Sequence, residues 1–134
     1  MTTSLRTTRY VLRLEGLAVL AVAAAGFVST GWSWWWFFGL LLVPDIAMIG
    51  YLISEPAGRW AYNSAHTYTV PLTLGLLGWA LSLPMLAAVA WIWAAHIGLD
   101  RMLGYGLKLD GGFQTTHLGP IGRTPPQQQE QHPA

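Results

Sequence analysis

From Val70 to Ala95 the chain carries no charged residue and no histidine. A membrane-crossing helix needs about 20 mostly apolar residues, so this stretch is too long for one crossing and fits two helices joined by a tight turn. Leu83-Pro84 marks that turn, because proline is tolerated in the first turn of a helix and not in its middle. The pattern predicts a third span over 62–81 and a fourth over 84–103. Two more apolar segments lie upstream, over 10–29 and 34–53. The chain is 53% hydrophobic and 10% charged, with eight tryptophans, whereas a soluble domain carries roughly a quarter charged residues. The predicted fold class is an all-α membrane protein, a four-helix transmembrane bundle.

Residues 1–9 read as a polar, basic segment, residues 10–122 as the transmembrane domain, and residues 123–134, mostly Pro and Gln, as a disordered tail. The Ala-rich stretch in the first apolar run resembles a cleavage region. The spans that follow it argue instead for a retained helix. Arg6, Arg9 and Arg13 precede or open the first span, and Arg59 lies between the second and third. Arg101, Lys108 and Arg123 end or follow the fourth. The turns near Gly31 and Ser82 carry no charge. Every basic residue then falls on one side of a four-span arrangement, and that side is cytoplasmic by the positive-inside rule. Both termini are expected there. Trp32, Trp34, Trp35 and Trp36 crowd the opposite boundary as an aromatic belt.

Small residues at Ala18, Ala21 and Ala25 would let another helix approach the first span closely, and Glu15 at the edge of that stripe should point into the bundle. Pro44 should bend the second span. Ser54–Arg59 reads as a short polar loop, and Gly104-Tyr-Gly106 as the stop after the last helix. Residues 107–123 form an amphiphilic segment.

A formal net charge of +1 gives no basic surface for nucleic acid. The absence of cysteine excludes disulfides, thiolate metal sites and thiol nucleophiles. What remains is a set of polar residues inside apolar helices. His96 and Asp100 are four apart, on one helical face. Asp45 lies in the cytoplasmic half of the second span, His66 in the first turns of the third, and Glu15 in the first. Such residues are costly in lipid and normally meet partners or a water-filled cavity. Asp45, His66, His96 and Asp100 are therefore candidate ligands for one divalent metal, zinc, manganese or iron, since imidazole and carboxylate suit these ions. A metal with an open position supports hydrolysis. In that reading Glu15 is a general base, Arg101 receives an anionic group such as a lipid phosphate, and Asn63, Tyr105 and His117 are outer partners. Three other readings use the same residues: a structural polar lock in a non-enzymatic scaffold or partner-binding subunit, axial haem ligation by His66 and His96, and a proton pathway, for which the Trp-rich far half offers no acidic group.

At Leu14-Glu15-Gly16, Pro44-Asp45-Ile, Gly50-Tyr51, Tyr62-Asn63-x-x-His66, His96-Ile-Gly-x-Asp100-Arg101, Gly104-Tyr105-Gly106-Leu-Lys108 and Thr116-His117-Leu-Gly119 the chain resembles the domain of unknown function 4260 family of small bacterial integral membrane proteins. The resemblance covers about residues 10–122 and implies a multi-pass protein of the bacterial inner membrane. It brings no activity with it. A weaker likeness to inner-membrane metal-dependent hydrolases implies ligand roles for Asp45, His66, His96 and Asp100. Expected partners are the lipid bilayer and a lipid-like substrate, and the small-residue stripes permit a homo-oligomer.

Overall fold

The computed structural model describes residues 3–121. The predicted 123–134 tail lies outside them. Helix α1 spans Thr3–Ser29 and α2 Trp34–Leu40. A 3-10 helix follows over Val43–Leu52, then α3 (Glu55–Ala65), α4 (Thr69–Ala80) and α5 (Pro84–Leu103). The described residues contain no β-strand, only an isolated bridge between Lys108 and Thr116. Three segments are long and apolar enough to cross a membrane: Thr3–Ser29, Trp34–Leu52 and Pro84–Leu103. Helix α4 is apolar but has only 12 residues, about 18 Å of helix, short of a hydrocarbon core about 30 Å thick. The outward surface is apolar, with Trp35 and Leu52 each 86% exposed and Trp79 82%.

Helix α5 is the central element, flanked by α1 and α4. In lipid, helix association draws on close packing rather than on removal of apolar surface from water. The α1–α5 contact follows that rule at Gly16 and Gly98. A Cβ on Gly16 would stand 2.5 Å from the Met102 amide nitrogen, and one on Gly98 would stand 2.8 Å from that of Leu20. The expected stripe is thereby corrected: α1 buries Gly16, Ala23 and Phe27, while Ala18, Ala21 and Ala25 are exposed. Glu15, expected inside, is exposed too, because the buried face is rotated away from it. At the other end Ala23, Phe27, Phe37, Ala88, Ile92 and Ala95 form an apolar core, with Phe27 and Phe37 packed edge to face at 5.2 Å.

The second and third apolar segments are each broken rather than bent. The α-helix of the second ends at Leu40, and the segment continues as a 3-10 helix with Pro44 in its first turn. In the third, α3 stops at Ala65 with His66 as its cap and α4 begins at Thr69. Pro71 explains the position of the break. It cannot donate to the Thr67 carbonyl four residues back, and its ring clashes there. The segment Ser54–Arg59, predicted as a loop, is instead the start of α3. Ser54 Oγ accepts from the Ala57 amide at 3.2 Å, and Pro56 occupies an early helical position, a capping arrangement that opens a helix.

After α5 the chain folds back as a short hairpin-like segment over residues 105–121. Gly104, at φ 93°, closes the helix in the left-handed region that favours glycine. One face of α3 anchors this segment through residues four apart. Glu55 accepts from the amides of Gly111 and Gly112 at 3.2 and 2.8 Å, and Arg59 pairs with Asp110. The Asn63 side chain grips the backbone of Lys108, donating to its carbonyl at 2.8 Å and accepting from its amide at 2.6 Å.

Candidate metal centre

Four side chains from three elements converge beneath that segment. Asp45 comes from the 3-10 helix, His66 from the cap of α3, and His96 and Asp100 from successive turns of α5. Each offers one ligand atom, and these atoms all lie within 4.8 Å of one another. His66 Nε2 is 3.0 Å from His96 Nε2 and 3.2 Å from Asp45 Oδ1. It is 3.5 Å from Asp100 Oδ2. His96 Nε2 is 3.3 Å from Asp45 Oδ1 and 3.5 Å from Asp100 Oδ2. Ligands about 2.0–2.1 Å from a central ion in tetrahedral geometry lie about 3.3–3.4 Å apart. Five of the six edges of this group match that spacing within a few tenths of an ångström.

Local structure sets the orientation of each group. The broken third segment makes His66 a terminal residue, and its Nδ1 donates to the Tyr62 carbonyl at 2.8 Å. That bond holds the ring proton on Nδ1 and leaves Nε2 as a lone pair aimed at the centre, the arrangement that metal-ligating histidines adopt. The Tyr62 ring stacks on His66 at 3.7 Å, and its hydroxyl donates to Asp100 Oδ2 at 3.3 Å. The 3-10 helix repeats every three residues, so Asp45, Met48 and Tyr51 lie along one face. Asp45 and Met48 reach the cavity described below, and Tyr51 packs edge-on against Phe113 at 5.6 Å. His96 is 1% exposed and His66 0%. His96 Nδ1 is buried without a hydrogen-bond partner.

The group is short of protons. His66 Nε2 and the two carboxylates are acceptors; the Tyr62 hydroxyl serves Asp100 Oδ2, and one proton on His96 Nε2 can serve only one of the others at a time. A single cation at the centre would satisfy all four. The group could therefore hold a metal ion. Axial haem ligation does not fit. Axial nitrogens sit on opposite faces of the porphyrin, two metal–nitrogen bonds or about 4 Å apart, and here they are 3.0 Å apart.

The sequence model of the domain of unknown function 4260 family matches residues 9–121. The chain belongs to that family. No curated protein and no solved structure matches it. The match to the DUF4260 family encloses all four converging residues as well as the segment that covers them.

The other predicted site residues are placed differently. Arg101 donates to the carbonyls of Tyr105 and His66 at 2.8 and 3.0 Å. It completes the exposed end of α3 instead of presenting its guanidinium to the group. Glu15 lines a separate cavity of about 430 Å³ with Tyr68, Arg101 and His117, so it is not positioned as a general base for the four residues. Asn63 spends its amide on Lys108 and has no place as an orienter of ligand or water. His117 Nδ1 accepts from the Leu107 amide at 2.7 Å. Burial, aided by the Arg101 charge, pushes its pKa below the ordinary histidine value. Tyr105 does line a cavity that reaches the group.

That cavity holds about 220 Å³ and is walled by Asp45, Tyr62, Asp100, Tyr105, Lys108 and Phe113, among others. Sequence reasoning missed Tyr62, Lys108 and Trp93. The Trp93 indole donates to the Ala65 carbonyl at 2.7 Å, meeting another acceptor freed by the break. Tyr62 was legible as the residue four before His66. Nothing local marks Lys108, which reaches the cavity only because the segment folds back.

Proposed function

We propose that this protein holds one divalent metal ion between Asp45, His66, His96 and Asp100. The observation that carries the reading is the set of five ligand–ligand distances between 3.0 and 3.5 Å, which suits zinc and accommodates manganese or iron. The membrane reading places the ion in a multi-pass protein of the bacterial inner membrane. The α3–α4 pair supplies a broken third crossing in a four-span bundle, and both termini are cytoplasmic. The cavity at the carboxylate edge favours metal-dependent hydrolysis of a lipid-like substrate. The ion would supply Lewis acidity to a group entering there, while the segment over 105–121 limits access of water.

A second reading has its own support. Four protein ligands complete a tetrahedron, and closed sites of that kind are structural. The ion would then tie the 3-10 helix, α3 and α5 together in a non-enzymatic scaffold. Elemental analysis of detergent-purified protein beside a His96→Ala/Asp100→Ala variant tests what both share. Near-stoichiometric metal in the wild type, lost in a variant that remains helical, is the expected result. Its absence after metal supplementation rejects the centre in favour of a proton-bridged polar lock. Hydrolysis of lipid-like esters by metal-loaded protein, abolished by a chelator, separates the enzyme from the scaffold.

A further inference from the structure

Lys108 is 2% exposed, and lysines are almost never buried so fully without a charged partner. Its ammonium donates to the Phe113 carbonyl at 2.8 Å. It also lies 3.7 Å from the centre of the Phe113 ring and 4.8 Å from that of Tyr62. These contacts are all with neutral groups, and an ammonium has three donors. The acidic side chains that line the same cavity are Asp45 and Asp100. A divalent ion in the four-residue group would balance those two carboxylates and leave Lys108 as the surplus charge of the cavity.

We infer that this cavity binds a phosphate-type oxyanion between the metal and Lys108, an inference that rests on the metal reading above. With the ion expanding to five-coordinate, an oxyanion could direct one oxygen toward it and another toward the ammonium, and lysine is a common point-charge partner of phosphate. A volume of about 220 Å³ accommodates a phosphate group but not a whole lipid. The site also lies at the polar end of α5, which the proposed four-span arrangement puts at the level of the phospholipid head groups. Lys108 is then the residue that selects the charge of the substrate, and the aromatic rings of Tyr62 and Phe113 hold it in place.

Protein loaded with manganese in maltoside micelles, which contain no phosphorus, tests the inference by ³¹P relaxation. The probes are inorganic phosphate and dioctanoyl phosphatidic acid, compared for wild type, Lys108→Met and Lys108→Arg. Saturable relaxation enhancement of at least one probe is expected. It should be weakened about 10- to 100-fold by Lys108→Met and partly retained in Lys108→Arg, with metal content unchanged in both. Enhancement by inorganic phosphate identifies a free anion as ligand, and enhancement by phosphatidic acid alone identifies a lipid head group. No saturable enhancement in metal-loaded wild type overturns the inference and leaves the metal centre intact. An affinity unaffected by Lys108→Met overturns the role of Lys108. Failure to take up metal rejects the reading beneath it. Should Lys108→Met not fold, the wild-type titration and Lys108→Arg still decide.

Discussion

Tyr62 meets the site three times: its carbonyl holds the His66 ring, its ring stacks on the same imidazole, and its hydroxyl bonds Asp100. Removing the hydroxyl alone leaves the stacking intact. Outer partners of this kind typically contribute 10- to 100-fold in metal affinity. Tyr62→Phe is therefore expected to weaken metal binding about 10-fold with the helical content unchanged, measured by competition with a chelating dye. Unaltered affinity would remove Tyr62 from the site. His117 gives a second residue-scale expectation. Its folded-state pKa lies below the ordinary 6.5, and its Nδ1 must be unprotonated to accept from Leu107. The stabilisation is thus complete above about pH 6.5 and declines as the pH falls through that value, because the unfolded chain binds the proton more readily. Hydrogen exchange at the Leu107 amide should quicken below pH 6.5 relative to amides in the middle of α5. A His117→Gln variant should lose that dependence.

Among the elements, the segment over 105–121 has the least intrinsic order. It owes its position to α3 residues 55, 59 and 63, spaced along one helical face. The Asn63 amide supplies two of the hydrogen bonds, each contributing about 1 kcal/mol net, with a further penalty if Lys108 backbone groups stay buried and unpaired. Asn63→Ala is expected to raise protease cleavage between Tyr105 and Ile121 by roughly 10-fold or more, while the helical signal persists. Equal loss of segment and helices would show that the two unfold as one unit. The two broken spans share a logic. Each break puts a metal-ligand candidate beside an interrupted helix, Asp45 after Leu40 and His66 after Ala65. The α5 side chains of Trp93 and Arg101 then take up carbonyls that the second break leaves open. Irregular backbone inside a membrane protein is tolerated where protein groups satisfy it.

For the whole molecule, the charge distribution is what supports the proposed orientation. The chain has no cysteine, so single-cysteine variants report without background. In the proposed orientation, with both termini cytoplasmic, Ser29→Cys and Ser82→Cys are expected to react with an impermeant maleimide in intact spheroplasts. Gln114→Cys should react only in inverted vesicles. Labelling of Gln114→Cys from outside would reverse the orientation and place the metal group on the other face.

The sequence by itself determined the long apolar helices, three of them long and apolar enough to cross a membrane, because low charge and extended apolar runs leave few polar side chains to interrupt them. It also named the four residues that converge, Asp45, His66, His96 and Asp100, but grouped Glu15 with them, which the fold leaves exposed. The ends of α5 were legible as well: Pro84 can sit only early in a helix, and Gly104 can readily take the left-handed conformation that ends one. Other features needed tertiary structure. Pro44 announced a disturbance, but whether a helix bends or breaks depends on whether neighbours donate to the freed carbonyls, as Trp93 and Arg101 do at the second break. The exposure of Glu15 followed from Gly16 and Gly98 setting the rotation of α1, since close backbone approach outweighs a stripe of alanines. The conversion of Arg101 and Asn63 from candidate site residues into backbone anchors, and the arrival of Lys108 at the cavity, came from contacts spanning 35 to 45 residues. No local pattern encodes a contact of that range, because it forms only when the chain has folded back on itself.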